Sequence, residues 1–213
     1  MIVSRLQHGK KLDLKGGWPG LSSLPNVDVL VDIGIGQQGT FGLYSYFPNS
    51  KYIFIDPLIE TKQSVQKLLQ KQTMNEFHCC ALGATEGFIT INVRHPISRS
   101  GVHNMDGDGS VEKREVEMKT LDSITQAIKI QNSIGIKVDV EGYEMEVLFG
   151  AKSTLGRAKF VILELPIGGS RFQGSYTFEE AIFFMNKHNF KVAAIRTSGD
   201  GTNHCDIGFV KDE

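Results

Sequence analysis

Short, almost unbroken apolar runs recur along this chain at 28–33, 52–56, 77–81, 135–140 and 160–164, with longer segments of helical period between them. A strand that is apolar at nearly every position needs cover on both faces. A series of such strands separated by helices finds that cover as a doubly wound, mostly parallel sheet with helices on either side. Two intervening segments read as crossover helices. Residues 58–72 place Ile59, Val65, Leu68 and Leu69 near one face, and residues 142–156 do the same with Met145, Leu148 and Phe149.

The alternation breaks once. Residues 87–93 and 114–119 read as an antiparallel pair, an inserted β-hairpin, and between them lies the polar, glycine-rich loop 95–110. A long loop in a compact domain is often functional, so this one is expected to be a flap over a site. The last third reads as helix 177–188, strand 190–196, a polar turn and strand 206–211, and the tight return makes the final strand antiparallel. The 213 residues suit a single domain, 1–213, with residues 1–26 as a cap or leading helix.

Composition excludes several partners. With 23 basic and 24 acidic residues and no basic stripe interleaved with aromatics, nucleic acid is not an expected ligand. No apolar run reaches the roughly 18 residues of a membrane span and the first residues lack a signal-peptide core, which predicts a soluble, cytoplasmic protein. Cys79, Cys80 and Cys205 lack the spacing of a disulfide framework or zinc site and read as reduced packing residues.

The stretch "VDIGIGQQG" follows the first apolar run. In a strand-turn-helix unit Gly34 permits the sharp turn, Gly36 lets a ligand approach the backbone, and Gly39 lets helix and strand pack closely. Asp56 ends the second strand, where a carboxylate can accept from both hydroxyls of a ribose. These features suit a nicotinamide dinucleotide or S-adenosylmethionine alike. Asp32 separates the two: a carboxylate beside an arriving pyrophosphate is repelled by about 4 kcal/mol at 4 Å and an effective dielectric near 20. A sulfonium cofactor with a cationic ammonium is attracted instead.

In "IGIKVDVEGYEMEVLFGA", residues 134–151, a buried strand delivers Asp139 and Glu141 into the same crevice. Burying two carboxylates without a use is costly. Glu164 ends the next strand, in "VILELP", and comes beside them if the two strands are neighbours.

With these residues in view, the sequence resembles the FkbM-type methyltransferases, S-adenosylmethionine-dependent enzymes of the Rossmann-like methyltransferase superfamily. The resemblance is carried by "VDIGIGQQG", "YIFIDP", "ALGATEGFITI", "KTLDSI", "IKVDVEGYEMEVLFGA", "VILEL" and "DIGFVK", in that order over residues 28–211. It implies an α/β fold with a seven-stranded sheet whose last strand is antiparallel, and an O-methyl transfer. It also implies a cofactor site of Asp32, Gly34, Ile35, Gly36, Gln37 and Gly39, with Asp56, Pro57 and Leu58 at the ribose, Ala81 and Leu82 against the adenine, and Asp139. Asp56 stands where the family more often has glutamate.

Methyl transfer to an alcohol is an in-line displacement that gains from a base taking the hydroxyl proton. The candidates are Asp139 or Glu141, then Glu164, with His103 in the loop as a further one because its reference pKa near 6.5 suits the task. Asp139, Glu141 and Glu164 carry the oxygens magnesium prefers. The favoured reading has them hydrogen-bonded to backbone, lysine or substrate, with no metal. The acceptor is expected to be a small-molecule hydroxyl, bound by the loop and by residues 166–177, with Arg171 pairing an anionic group. Two rivals stand beside this reading: an NAD(P)-dependent oxidoreductase, which lacks a Tyr-x-x-x-Lys pair here, and a catalytically silent cofactor-binding interaction module.

Overall fold

A computed structural model describes residues 21–37, 39–69, 76–105, 111–128, 132–170, 172, 174–197 and 203–212. Its main sheet is built from β1 (Val29–Ile33), β2 (Lys51–Ile55), β3 (Glu76–His78), β7 (Ile134–Val138), β8 (Ala158–Pro166), β9 (Phe190–Thr197) and β10 (His204–Lys211), in the order β3-β2-β1-β7-β8-β10-β9. β10 runs antiparallel to both β8 and β9, and the other pairings are parallel. The doubly wound mostly parallel seven-stranded sheet with an antiparallel last strand is therefore present. β1 pairs with β2 on one side and β7 on the other, so the chain changes winding direction there and opens a crevice at the carboxyl ends of these strands.

Period-two alternation assigns each strand residue to a face. Val29, Val31 and Ile33 join Ile134, Ile136 and Val138 in one core. Leu30 faces the other, with Tyr44, Phe47, Tyr52, Phe54 and Phe160. The rings of that second core meet edge-on or stacked, Tyr44 to Tyr52 at 5.2 Å and Phe47 to Phe160 at 5.4 Å between centroids. Asp32, Lys137 and Asp139 share the alternation of this second face, which brings two carboxylates and a lysine together below the crevice.

The helices are α1 (Phe41–Tyr46), α2 (Ile59–Leu69), α3 (Leu121–Ala127), α4 (Glu144–Phe149), α5 (Lys152–Arg157) and α6 (Phe178–Lys187). Thr177 and Glu180 cap α6 reciprocally at the expected start. α3 was not signalled by the apolar rhythm; Thr120 caps it by accepting from the Ser123 amide at 3.1 Å.

Four local expectations are corrected. The run at 77–81 divides, because β2 ends at Ile55 and the edge strand β3 ends opposite it at His78. The chain then passes through Cys79 and Cys80 to β4 (Ala81–Leu82), which joins a second sheet, β4-β6-β5, with β6 (Glu112–Lys119) and β5 (Gly87–Val93). The segment 142–156 forms two helices instead of one, broken where Gly150 is pressed against the Gly83 backbone; a Cβ there would lie 2.1 Å from the Gly83 oxygen. Ile59 is 51% exposed, since the buried stripe of α2 is set by Leu58, Thr61 and Val65. Phe149 is 40% exposed, and its ring meets Phe184 edge-on. Leu68 and Leu69 lie outside the residues whose side chains are described, as do most of 1–26 and Arg171. Cys80 and Cys205 are buried, Cys79 is exposed, and all three are free thiols. Among the described residues no helix is long and apolar enough to cross a membrane.

Candidate functional site

The crevice between the ends of β1, β2 and β7 holds a cavity of about 490 Å³, within the roughly 300–1,000 Å³ usual for small-molecule sites. One wall is the glycine turn. The Gly34 amide donates to the Ile55 oxygen at 2.9 Å and the Asp139 amide to the Ile33 oxygen at 3.0 Å, so β1 keeps pairing on both sides as far as the turn. Gly34 has φ +75°, and a Cβ there would fall 1.8 Å from the Asp139 oxygen. Its role is thus twofold, a left-handed turn and a close approach of two backbones.

Asp56 closes β2 and is 5% exposed. Its Oδ2 accepts from the Gly36 amide at 3.2 Å and its Oδ1 from the Leu58 amide at 2.9 Å, so the carboxylate ties the glycine turn to the turn after β2. Burial pushes its pKa up to about 6, against the opposing effect of those amides. Ile35, Gln37, Pro57 and Leu58 line the cavity with it, and Ala81 and Leu82 form an apolar wall.

The wall that continues from the end of β7 is acidic. Asp139, Glu141 and Glu164 all line the cavity. Glu141 has φ +55°, an uncommon conformation for a non-glycine residue. The neighbouring Glu144, 1% exposed, shapes this turn: its Oε1 accepts from the Val140 and Gly142 amides at 2.9 and 3.2 Å, and its Oε2 from the Tyr176 hydroxyl at 2.7 Å. Burial raises its pKa, and the hydrogen bonds from Tyr176 and Val140 oppose that rise. Asp139, Glu144 and Glu164 each bring an oxygen within 4.8 Å of the others. Both Glu144 oxygens are already engaged with protein donors. Glu164 also meets His204 Nε2 at 3.1 Å, which makes His204 part of this wall's support.

Asp32 does not line the cavity. It is fully buried below it, with its Oδ2 accepting from the Tyr44 hydroxyl and its Oδ1 3.7 Å from Lys137 Nζ. Burial raises its pKa, while Lys137 and Tyr44 oppose the rise. The carboxylate that the cavity sees is Asp139, whose Oδ2 accepts from Lys137 Nζ at 3.0 Å. Tyr44 and His204 were not singled out from the sequence, and Lys137 and Glu144 stood out only as the ends of the motif K-x-D-x-E-G-x-E, without a role. For Lys137 a signal existed: in a buried strand, a lysine two residues before an aspartate shares its face.

Residues 96–102 of the loop line the cavity, as a flap would. Ser98 sits over the glycine turn, since a Cβ at Gly36 would meet Ser98 Cβ at 3.1 Å, and Gly101 sits on Glu141. The flap is braced from beneath. Buried Arg94 donates to the oxygens of Arg99 and His103 at 3.0 and 2.7 Å, and Asn92 Nδ2 donates to the oxygens of Val102 and His103 at 3.1 and 3.2 Å. His103 is not among the cavity-lining residues; its ring stacks on Phe172 at 5.0 Å, with Nε2 3.2 Å from the Gly142 oxygen.

A sequence profile described as the Methyltransferase FkbM domain matches residues 33–192. The chain belongs to the FkbM methyltransferase family. The methyl donor that goes with this family is S-adenosylmethionine. A stretch of 73 residues is 33% identical to the hexuronic acid methyltransferase AglP of Haloferax volcanii and covers 34% of this chain and 29% of that enzyme. The match therefore spans less than a third of the curated relative. Among solved structures, the FkbM-domain chain is similar to the N-methyltransferase NodS of Bradyrhizobium japonicum, with TM-score 0.49, 10% identity, and coverage of 91% of this chain and 82% of that one. It is also similar to the magnesium protoporphyrin IX methyltransferase ChlM of Synechocystis PCC 6803 solved with bound SAM, with TM-score 0.48, 14% identity, and coverage of 90% and 73%.

The residues present fit the cofactor. Four carboxylates, Asp56, Asp139, Glu141 and Glu164, line the cavity against two cations, Arg99 and Lys137, and Lys137 is engaged with Asp139. Such a lining disfavours a pyrophosphate and favours a ligand carrying positive charge.

Proposed function

We propose that this protein is an S-adenosylmethionine-dependent O-methyltransferase acting on a hydroxyl of a small molecule or sugar. The observation that carries the reading is the acidic wall. Asp139, Glu141 and Glu164 line the cavity beside the glycine turn, together with residues 96–102 of the flap. When bound, the cofactor supplies an electrophilic methyl group on a sulfonium centre.

The chain's own residues do the rest. Gly36 lets the backbone approach the ligand while Gly34 and Gly39 hold the turn against Asp139 and Tyr44, Asp56 accepts from ribose hydroxyls, and Ala81 and Leu82 offer an apolar face to the base. Asp139 draws the ligand's cationic end. Glu164 or Glu141 takes the proton of the acceptor hydroxyl as its oxygen attacks, and Glu164 is the better placed of the two for passing it on, with His204 3.1 Å away. His103, facing Gly142 and Phe172, serves this reading as a support of the flap. A sugar or sugar acid is the favoured acceptor, supported by the name of the archaeal relative.

Calorimetry with S-adenosylhomocysteine tests the first half: saturable binding that Asp56→Ala weakens is expected, and no binding defeats the reading. Transfer of labelled methyl groups to a panel of sugars and uronic acids tests the second. Label in hydroxyl oxygens supports it, while binding without turnover on any hydroxyl acceptor favours a silent cofactor-binding module.

A further inference from the structure

A chain of four polar side chains runs from the core to the cavity wall: buried Tyr44 from α1 and Asp32 near the end of β1, then Lys137 from β7 and Asp139 just past its end. Lys137 is the parallel-sheet partner of Asp32, and it shares a strand face with Asp139 two residues on. Its side chain is 5% exposed, that of Asp32 is fully buried, and that of Asp139 is 31% exposed at the cavity wall. The ammonium makes its hydrogen bond to Asp139 at 3.0 Å and stands farther from Asp32, at 3.7 Å.

Tyr44 holds the far oxygen of that carboxylate: its hydroxyl donates to Asp32 Oδ2, while Asp32 Oδ1, buried and without a hydrogen bond of its own, faces the ammonium. Burial alone would lower the lysine pKa, but Asp139 and Asp32 outweigh it and hold the pKa above its ordinary value.

We propose that Lys137 is a positioning residue: held between Asp32 and Asp139, it fixes the Asp139 carboxylate at the cavity wall, where that carboxylate meets the amino-acid end of the cofactor. The inference rests on the cofactor reading above. It assigns to Lys137 and Tyr44 an effect on one end of the ligand only, the end carrying the ammonium.

The test compares two probes by calorimetry. S-adenosylhomocysteine has the amino-acid end; 5′-methylthioadenosine keeps the adenosine and the thioether but lacks it. Lys137→Met is expected to weaken the first at least about 10-fold, as loss of one partner of a buried charged pair does, and to leave the second within about twofold. Asp139→Asn should show the same signature, and the Lys137→Met/Asp139→Asn double variant should bind no more weakly than Asp139→Asn alone. Tyr44→Phe, a smaller change that keeps the ring, frees Asp32 to compete for the lysine and should shift affinity in the same selective way.

Wild-type protein that binds neither probe refutes the cofactor reading and the inference with it. Wild-type protein that binds both, with Lys137→Met unchanged or weakened equally for the two probes, refutes only the role of Lys137. Should Lys137→Met not fold, Tyr44→Phe decides: selective loss supports the chain, and unchanged or equal loss overturns it.

Discussion

Replacing Gly34 by alanine places a methyl group where the structure has the backbone of the neighbouring strand. The added Cβ would lie 1.8 Å from the Asp139 oxygen and 2.7 Å from its carbonyl carbon, at a residue with φ +75°. The left-handed conformation costs a non-glycine residue about 1–2 kcal/mol, and overpacking adds about 1–3 kcal/mol. Moving β7 away also weakens the Asp139 amide to Ile33 bond, worth about 1 kcal/mol. The sum is roughly 3–6 kcal/mol, and at about 2–4 °C per kcal/mol for a chain of this size Tm falls by roughly 6–24 °C.

Gly36→Ala is the control. Its φ of +57° carries a similar conformational cost, but its Cβ would meet only Ser98, the Cβ at 3.1 Å and the Cα at 3.4 Å, which a shift of a few tenths of an ångström relieves. The expected loss is about 1–2 kcal/mol, or roughly 2–8 °C. Scanning calorimetry of both variants without ligand is the assay. Equal losses, or a Gly34→Ala melt within about 2 °C of wild type, would refute the close approach of β1 and β7 as the reason for glycine at this position.

Three further outcomes follow from the site. Asp56 has its pKa raised by burial from 3.8 to about 6, so the folded protein holds a proton there that the unfolded chain releases near pH 4. Stability should fall as pH rises from 4 to 6, by about 3 kcal/mol, and then level off; the difference between wild type and Asp56→Asn isolates this group, and a difference independent of pH would count against it. S-adenosylhomocysteine affinity should rise over the same window, because the ionised carboxylate is the better acceptor for hydroxyls. Arg94→Lys cannot bridge the oxygens of Arg99 and His103 as the guanidinium does, so trypsin should cut after Arg99 several times faster; an unchanged rate would show that the brace is idle.

The strands around the crevice were legible because they are buried on both faces, and an apolar run then needs no partner to be recognised. Asp56, Asp139, Glu141 and Glu164 were legible for a related reason: each stands at or just past the end of such a run. What could not be read depends on contacts remote in sequence. At the break between α4 and α5, Gly150 lies against Gly83, and Asp122 accepts from the Ser153 and Thr154 amides at 2.9 and 2.7 Å. The run at 77–81 divides because β2 ends before it does. Asp32 sits in the expected motif, yet its distance from the cavity is set by Tyr44, twelve residues on, and by Lys137, more than a hundred away.

The brace beneath the flap also separates two jobs that loops often combine. The Arg94 guanidinium and the Asn92 amide grip the main-chain oxygens of Arg99, Val102 and His103, which every residue type supplies, whereas Ser98, Arg99 and Val102 line the cavity. Sequence change at those three positions leaves these bonds intact, while Ser100, whose Oγ accepts from the Arg94 amide at 2.9 Å, belongs to the brace by its side chain. The lining of the cavity at Ser98, Arg99 and Val102 can therefore vary in size and charge while the loop keeps its course.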